Sequence, residues 1–356
     1  METSLGSNPS FIWRSIWSSQ AILARGLRWK VVDGQHIKIW THPWLRDSRN
    51  FYIQTPHIHQ EEVKYVKELL ITDTRQWNTG KLHEIFAPQD IQEIMNIPLN
   101  PLASNDDSIW HFSGDGRYTL KSGYRIIMET ITNHEQATLW SIWRFRNEKL
   151  WSGVSRPPQT TVSLGYDMLW NLTQAQKNST KGQAPSSRRD ADDRWTKPPD
   201  PYVKCNVDAT LFNEHQAVGF GFVVRDSAGE FMVSKTSVNY GLFEVKEAEA
   251  LALLDAIAWT TSLELHDIIF ETDSKTVVNA ISSKNVDHTE FGSIISSCRK
   301  FLDAHPSFKI QHVRRQANMV AHALARAAIS YANAFIMIHP PNILCNFISH
   351  DCEDNI

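Results

Sequence analysis

Between Val203 and Ile329 the apolar pattern changes period in a set order, and that order leaves few folds open. Val203–Leu211, Ala217–Val224 and Glu230–Val238 alternate with period two, and the turn Arg225-Asp226-Ser227-Ala228-Gly229 joins the last two as a hairpin. The spacing then lengthens. Val245, Ala248, Leu251, Ala252, Ala256 and Trp259 recur near i, i+3, i+4 and predict an amphipathic helix over Glu244–Leu263. Asp267–Glu271 reads as a short buried strand, Ser274–Ser282 and Glu290–Leu302 as helices, Phe308–Arg314 as a final strand and Ala317–Ile329 as a final helix. A three-stranded meander followed by α-β-α-α-β-α calls for an α/β fold, a mixed five-stranded sheet with helices on its faces.

The front of the chain is built differently. Only one of the 13 tryptophans, Trp259, lies beyond residue 195, which marks a Trp-rich α+β N-terminal half distinct from the C-terminal half. Leu27–Trp44 places Asp33-Gly34 between two runs of β-formers and predicts a hairpin; Asp107–Lys121, with its turn at Gly114-Asp115-Gly116, predicts a second. Helical spacing recurs over Gln136–Leu150. From Gln174 to Pro201 the chain is rich in Ser, Lys, Asp and Pro and reads as a linker. The expected division is therefore 1–130, a helical segment 131–173, the linker 174–201, the sheet domain 202–330 and a tail 331–356.

Composition narrows the class. With 36 Lys+Arg against 39 Asp+Glu the formal net charge is −3, so neither bulk disorder nor a strongly basic coat is expected. Four cysteines, none in a C-x-x-C pair, make no disulfide framework and fit a reducing, intracellular compartment. No run of about 18 apolar residues or signal-peptide pattern is found, so no membrane partner is expected, and the sequons at Asn171 and Asn178 read as chance matches.

Polar groups interrupt the apolar pattern of the back half at a few telling places. Asp208 lies inside the first strand, Asp273 follows the buried run Ile268–Phe270, Glu249 sits in an Ala/Leu-rich helix, and Asn318 and His322 share one helical face. Clustered carboxylates suit a hard ion such as Mg²⁺, and two such ions serve phosphodiester hydrolysis. Taken singly, Asp208 also suits a turn cap, Glu249 a solvated helix position and Asp273 an N-cap before Ser274. Arg314 and Arg315 suit phosphate contacts, with solvated arginines as the alternative. His312 reads as a strand residue.

The strings KCNVDAT (Lys204–Thr210), RDSAGE (Arg225–Glu230), AEALAL (Ala248–Leu253), ETDS (Glu271–Ser274) and HVRRQANMVAHALAR (His312–Arg326) resemble the ribonuclease H-like domain of plant non-LTR retrotransposons and their host-encoded relatives. That resemblance implies Mg²⁺-dependent (or Mn²⁺-dependent) cleavage of the RNA strand of an RNA–DNA hybrid. Asp208, Glu249 and Asp273 would be metal ligands, the same three with His322 the catalytic residues, and Asn318, Arg314 and Arg315 substrate-binding residues. Active relatives carry a fourth carboxylate where this chain has His322, a replacement found in many plant relatives that removes one charge and offers nitrogen to an oxygen-seeking ion. The front half resembles the segment that follows the polymerase domain in the same retroelements. Its zinc module looks deleted, because no cysteine lies between Tyr124 and Trp140. Two other readings stay open: a nucleic-acid-binding module that does not cleave, and a remnant kept for protein contacts.

Overall fold

The computed structural model describes residues 20, 23–47, 50–56, 63–71, 75–103, 105–130, 195–331 and 334–339. The predicted helix at Gln136–Leu150, the sequons, most of the stretch expected to lack a zinc module and most of the linker lie outside them. Two compact units are present: Met1–Gly26 with Tyr118–Arg189, and Leu27–Arg117 with Asp190–Ile356. In the first, helix α3 (Leu120–Thr130) is described. No helix among the described residues is long and apolar enough to cross a membrane.

In the second unit the back half folds as its periodicity predicts. Strands β3 (Val203–Phe212), β4 (Ala217–Arg225) and β5 (Phe231–Tyr240) form the meander, and β6 (Ile268–Thr272) and β7 (Lys309–His312) add in parallel on the β3 side. The sheet has a sixth strand beyond the five expected. Strand β8 (Phe335–Met337), from the tail, pairs antiparallel with β5 through Ser234↔Met337 and Thr236↔Phe335, so the order is β7-β6-β3-β4-β5-β8. Met337 seats it by packing with Val223, Val320 and Leu324.

The alternation of β4 divides the two faces. Val218, Phe220, Phe222 and Val224 enter the main core with helix α4 (Val245–Ser262) and helix α6 (Glu290–Ala304), while Gly219, Gly221 and Val223 lie beneath helix α7 (Met319–Ala327). Helix α5 (Lys275–Ser282) follows β6. Helix α4 is not amphipathic as expected: from Glu247 to Ile257 only Asp255 is not fully buried. A helix buried on all sides needs cover on all sides, and part of that cover, Arg46 on Glu247, comes from the front of the chain.

Leu27–Arg117 has its own core around Ile37, Ile39, Trp44, Val66, Leu69, Leu82 and Ile94, beside helices α1 (Thr79–Ile85) and α2 (Pro88–Met95). Its tryptophans are packing residues, with Trp44 and Trp77 ring to ring at 6.2 Å. Neither predicted hairpin forms. Strand β1 (Leu27–Lys30) pairs instead with β2 (Asp107–Trp110), Leu27 opposite Trp110. The Asp33-Gly34 turn exists, with Gly34 at φ +66, but the Asp106 carboxylate accepts from the amides of Val32, Asp33, Gly34 and His36, and Lys38 then bridges to Tyr65. The Gly114–Gly116 turn also exists, closed by Trp110 N donating to Gly116 O at 2.8 Å, yet β2 is already paired with β1 and no return strand follows.

Two buried glutamates of the sheet domain receive their cations from this front segment. Arg28 grips Glu290 with both guanidinium nitrogens (2.6 and 3.1 Å), and Arg46 pairs with Glu247 at 2.9 Å. Burial alone would raise the Glu290 carboxyl, but the charge and hydrogen bonds of Arg28 outweigh it and hold it down to about 2. A carboxyl lowered on folding adds stability above its unfolded value near 4.5, and loses it as pH falls toward 2. Arg28→Ala, which strands a buried carboxylate, is expected to cost ~3–5 kcal/mol at pH 7 and much less at pH 2–3. Urea unfolding at the two pH values checks this; equal losses at both would refute it.

Candidate active site

Strands β3 and β6 run parallel in register from Val203↔Ile268 to Asn206↔Glu271. Two residues further along each strand a side chain returns to the same face, which brings Asp208 beside Asp273, just past the end of β6. Glu249, in the first turns of α4, reaches the same point. The three carboxylates offer oxygens that all lie within 4.8 Å of one another.

Their electrostatics are those of a crowded anionic pocket. Burial, reinforced by the charges of Asp208 and Asp273, pushes the Glu249 carboxyl up to about 9. Its Oε2 is buried and has no hydrogen-bond partner. Burial also raises Asp208, to about 6, with Asp273 adding to the shift and the His322 hydrogen bond opposing it. Three converging oxygens, one of them buried and unanswered, suit a hard divalent cation, which would supply the missing countercharge.

His322 stands on α7 with Nδ1 2.9 Å from Asp208 Oδ2, and its Nε2 lies 3.1 Å from Arg315 Nη2. A guanidinium only donates and a carboxylate accepts, so the network assigns a neutral imidazole carrying its proton on Nδ1. Arg315 is exposed and meets the site through His322, and Arg314 before it is half-buried. His312 ends β7 in an exposed position opposite Thr272.

Asn318 is not where a substrate contact would be. It is 1% exposed, its Nδ2 donates to Val207 O at 2.9 Å and its Oδ1 accepts from Asn206 Nδ2 at 3.2 Å, so its amide is spent inside the protein. Sequence reasoning passed over Asn206, Glu271 and Arg225, which lie one layer beneath the carboxylates; the available signal was the polar alternation Lys204, Asn206, Asp208 along one strand face. It also passed over Gly221, which faces Asp208 across the β3–β4 ladder.

Residues 206–328 match the reverse transcriptase-like family. Over 146 residues, 39% of this chain and 24% of the other, the sequence is 26% identical to a candidate ribonuclease H protein of Arabidopsis thaliana. Over 48 residues, 14% of this chain and 31% of the other, it is 45% identical to an uncharacterised mitochondrial protein of the same plant. The chain thus spans less than a third of the length of these curated relatives. Among solved structures it is similar to ribonuclease H1 of Halobacterium salinarum (22% identity, 36% of this chain and 98% of that one, TM-score 0.34). It is also similar to LC11 ribonuclease H1, solved with an RNA/DNA hybrid (19% identity, 36% and 96%, TM-score 0.33).

Proposed function

We propose, from the match of residues 206–328 to the reverse transcriptase-like family, that these residues form a ribonuclease H-like domain and that this chain binds RNA–DNA hybrid and hydrolyses its RNA strand. The observation that carries the reading is the convergence of Asp208, Glu249 and Asp273 with a buried, unpartnered Glu249 oxygen. These three would hold Mg²⁺ or Mn²⁺, which when bound supplies a nucleophilic water and charge stabilisation at the leaving oxygen. Arg315, exposed beside the site, suits a phosphate oxygen of the incoming strand. Should it move there, His322 Nε2 is left as a free acceptor while Asp208 keeps the imidazole oriented through Nδ1. An oxygen-plus-imidazole donor set shifts preference from Mg²⁺ toward Mn²⁺.

Binding without cleavage is the second reading, and one observation favours it. His322, where the family pattern has a carboxylate, already holds one carboxylate oxygen of Asp208. Cleavage of a labelled RNA–DNA hybrid by the full chain separates the two. We expect faster cleavage with Mn²⁺ than with Mg²⁺, no cleavage by Asp208→Asn, and a gain in Mg²⁺-supported rate for His322→Asp. A wild type that retains the hybrid but cuts it with neither ion would leave only the binding reading.

A further inference from the structure

Beneath the carboxylates lies a second polar layer that the proposed chemistry does not use. Asn206 is fully buried; its amide donates to Glu271 Oε2 (2.8 Å) and Asn318 Oδ1 (3.2 Å) and accepts from Arg225 Nη2 (2.9 Å). Glu271 is pinned from its other oxygen by Lys204 Nζ at 2.7 Å. Each anchor stands a short step along the backbone from a site residue: Asn206 two before Asp208, Glu271 two before Asp273, Asn318 one helical turn before His322. The β3–β6 register stops at Asn206↔Glu271, and at the next peptide group the Val207 carbonyl, adjoining Asp208, is taken by the Asn318 side chain.

This layer is closed from outside by a residue that precedes the family match, in the segment read as a linker. Trp195 is 3% exposed and stacks on the Arg225 guanidinium at 3.4 Å, while the neighbouring Thr196 carbonyl accepts from Lys204 Nζ at 2.6 Å. The two cations that orient Asn206 and Glu271 are thus both held by residues 195 and 196. A buried network with its members paired is stiff, and losing one member leaves several groups unpaired.

We infer that Asn318, Asn206 and Trp195 are positioning residues, which fix β3, β6 and α7 so that Asp208, Asp273 and His322 meet in one geometry. The inference rests on the metal-site reading for its consequence, and on the network alone for its geometry. Outer partners of metal ligands typically change affinity by ~10–100-fold when removed.

Two measurements on the full chain test it. Mn²⁺ binding, followed by the electron paramagnetic resonance of free Mn²⁺, should weaken roughly tenfold in Asn318→Ala and Trp195→Leu and return to the wild-type value in Trp195→Phe, which keeps a ring for Arg225. The ¹⁵N shift of His322 Nδ1 in the metal-free protein should move in the first two variants and not in the third. Variants that melt lower but keep wild-type Mn²⁺ affinity and the wild-type imidazole shift would overturn the inference and leave these residues merely structural. A wild type that binds no Mn²⁺ would instead remove the metal-site reading, and the imidazole shift would still decide the positioning role.

Discussion

Glu249→Gln is expected to make the metal-free protein more stable while removing its response to Mn²⁺. Glu249 is buried against two other carboxylates, and its carboxyl is pushed up to about 9 from an ordinary 4.5, by burial first and by Asp208 and Asp273 next. The sign follows from linkage. A carboxyl raised on folding costs nothing below pH 4.5, and above it the unfolded chain ionises first, so stability falls with rising pH until the folded group ionises near 9. At ~1.36 kcal/mol per pH unit the cost reaches about 3 kcal/mol at pH 7. Glutamine is neutral in the folded and the unfolded chain alike, so it carries no such cost, and it can donate its amide to the carboxylates on either side. With EDTA present, the thermal midpoint of Glu249→Gln should exceed the wild type's by ~5 °C or more at pH 8, with the gap closing toward pH 5. Saturating Mn²⁺ should raise the wild type and leave the variant unmoved. A wild-type midpoint indifferent to pH across that range would contradict the crowding argument.

That expected trade of stability for charge concentration distinguishes this cluster from the other carboxylates of the unit. Glu290, Glu247 and Glu271 are as deeply buried, but each has an arginine or lysine within hydrogen-bonding distance. Asp106 answers four backbone amides. Among the described residues Glu249 Oε2 has no such answer, and a buried carboxyl without a partner is costly to retain for packing alone.

Asp208, Asp273, Glu249 and the pair Asn318/His322 stand out in the sequence because local rules isolate them: a charge inside an alternating strand, a charge at the end of a buried run, a charge in an apolar helix, and a polar pair spaced by four. What was not legible depends on partners distant in the chain. The Asp33-Gly34 turn carries a proper hairpin signal, yet its amides are claimed by Asp106, about seventy residues on. Helix α4 reads as amphipathic from the spacing of its apolar residues, and only the fold reveals that Arg46 covers Glu247 on another side. Trp195 sits in a stretch whose composition averages to a linker, and one ring against Arg225 does not change that average. The resemblance alone puts Asn318 with the substrate contacts. Its burial decides for the interior.

The second large effect is expected from Gly221→Ala. Gly221 lies across the ladder from Asp208 and directly under α7, and a Cβ there would overlap the Ala321 carbonyl oxygen and the Ala325 nitrogen. Both are backbone atoms, so no side chain can turn aside. The helix itself must lift, and with it His322, whose 2.9 Å contact with Asp208 has no slack. Overpacking of this kind costs ~1–3 kcal/mol, and a ~1 Å misplacement in a catalytic constellation costs on the order of 10²-fold in rate. Gly114→Ala, where an added Cβ meets nothing within 4 Å, is the neutral control. The decisive comparison is a double-mutant cycle on hybrid cleavage with Mn²⁺. If the glycine acts by seating His322, Gly221→Ala should cost far less in a His322→Ala background than in the wild type. If the two losses simply multiply, the lifted helix harms the site by another route, and the glycine does not set the Asp208–His322 contact.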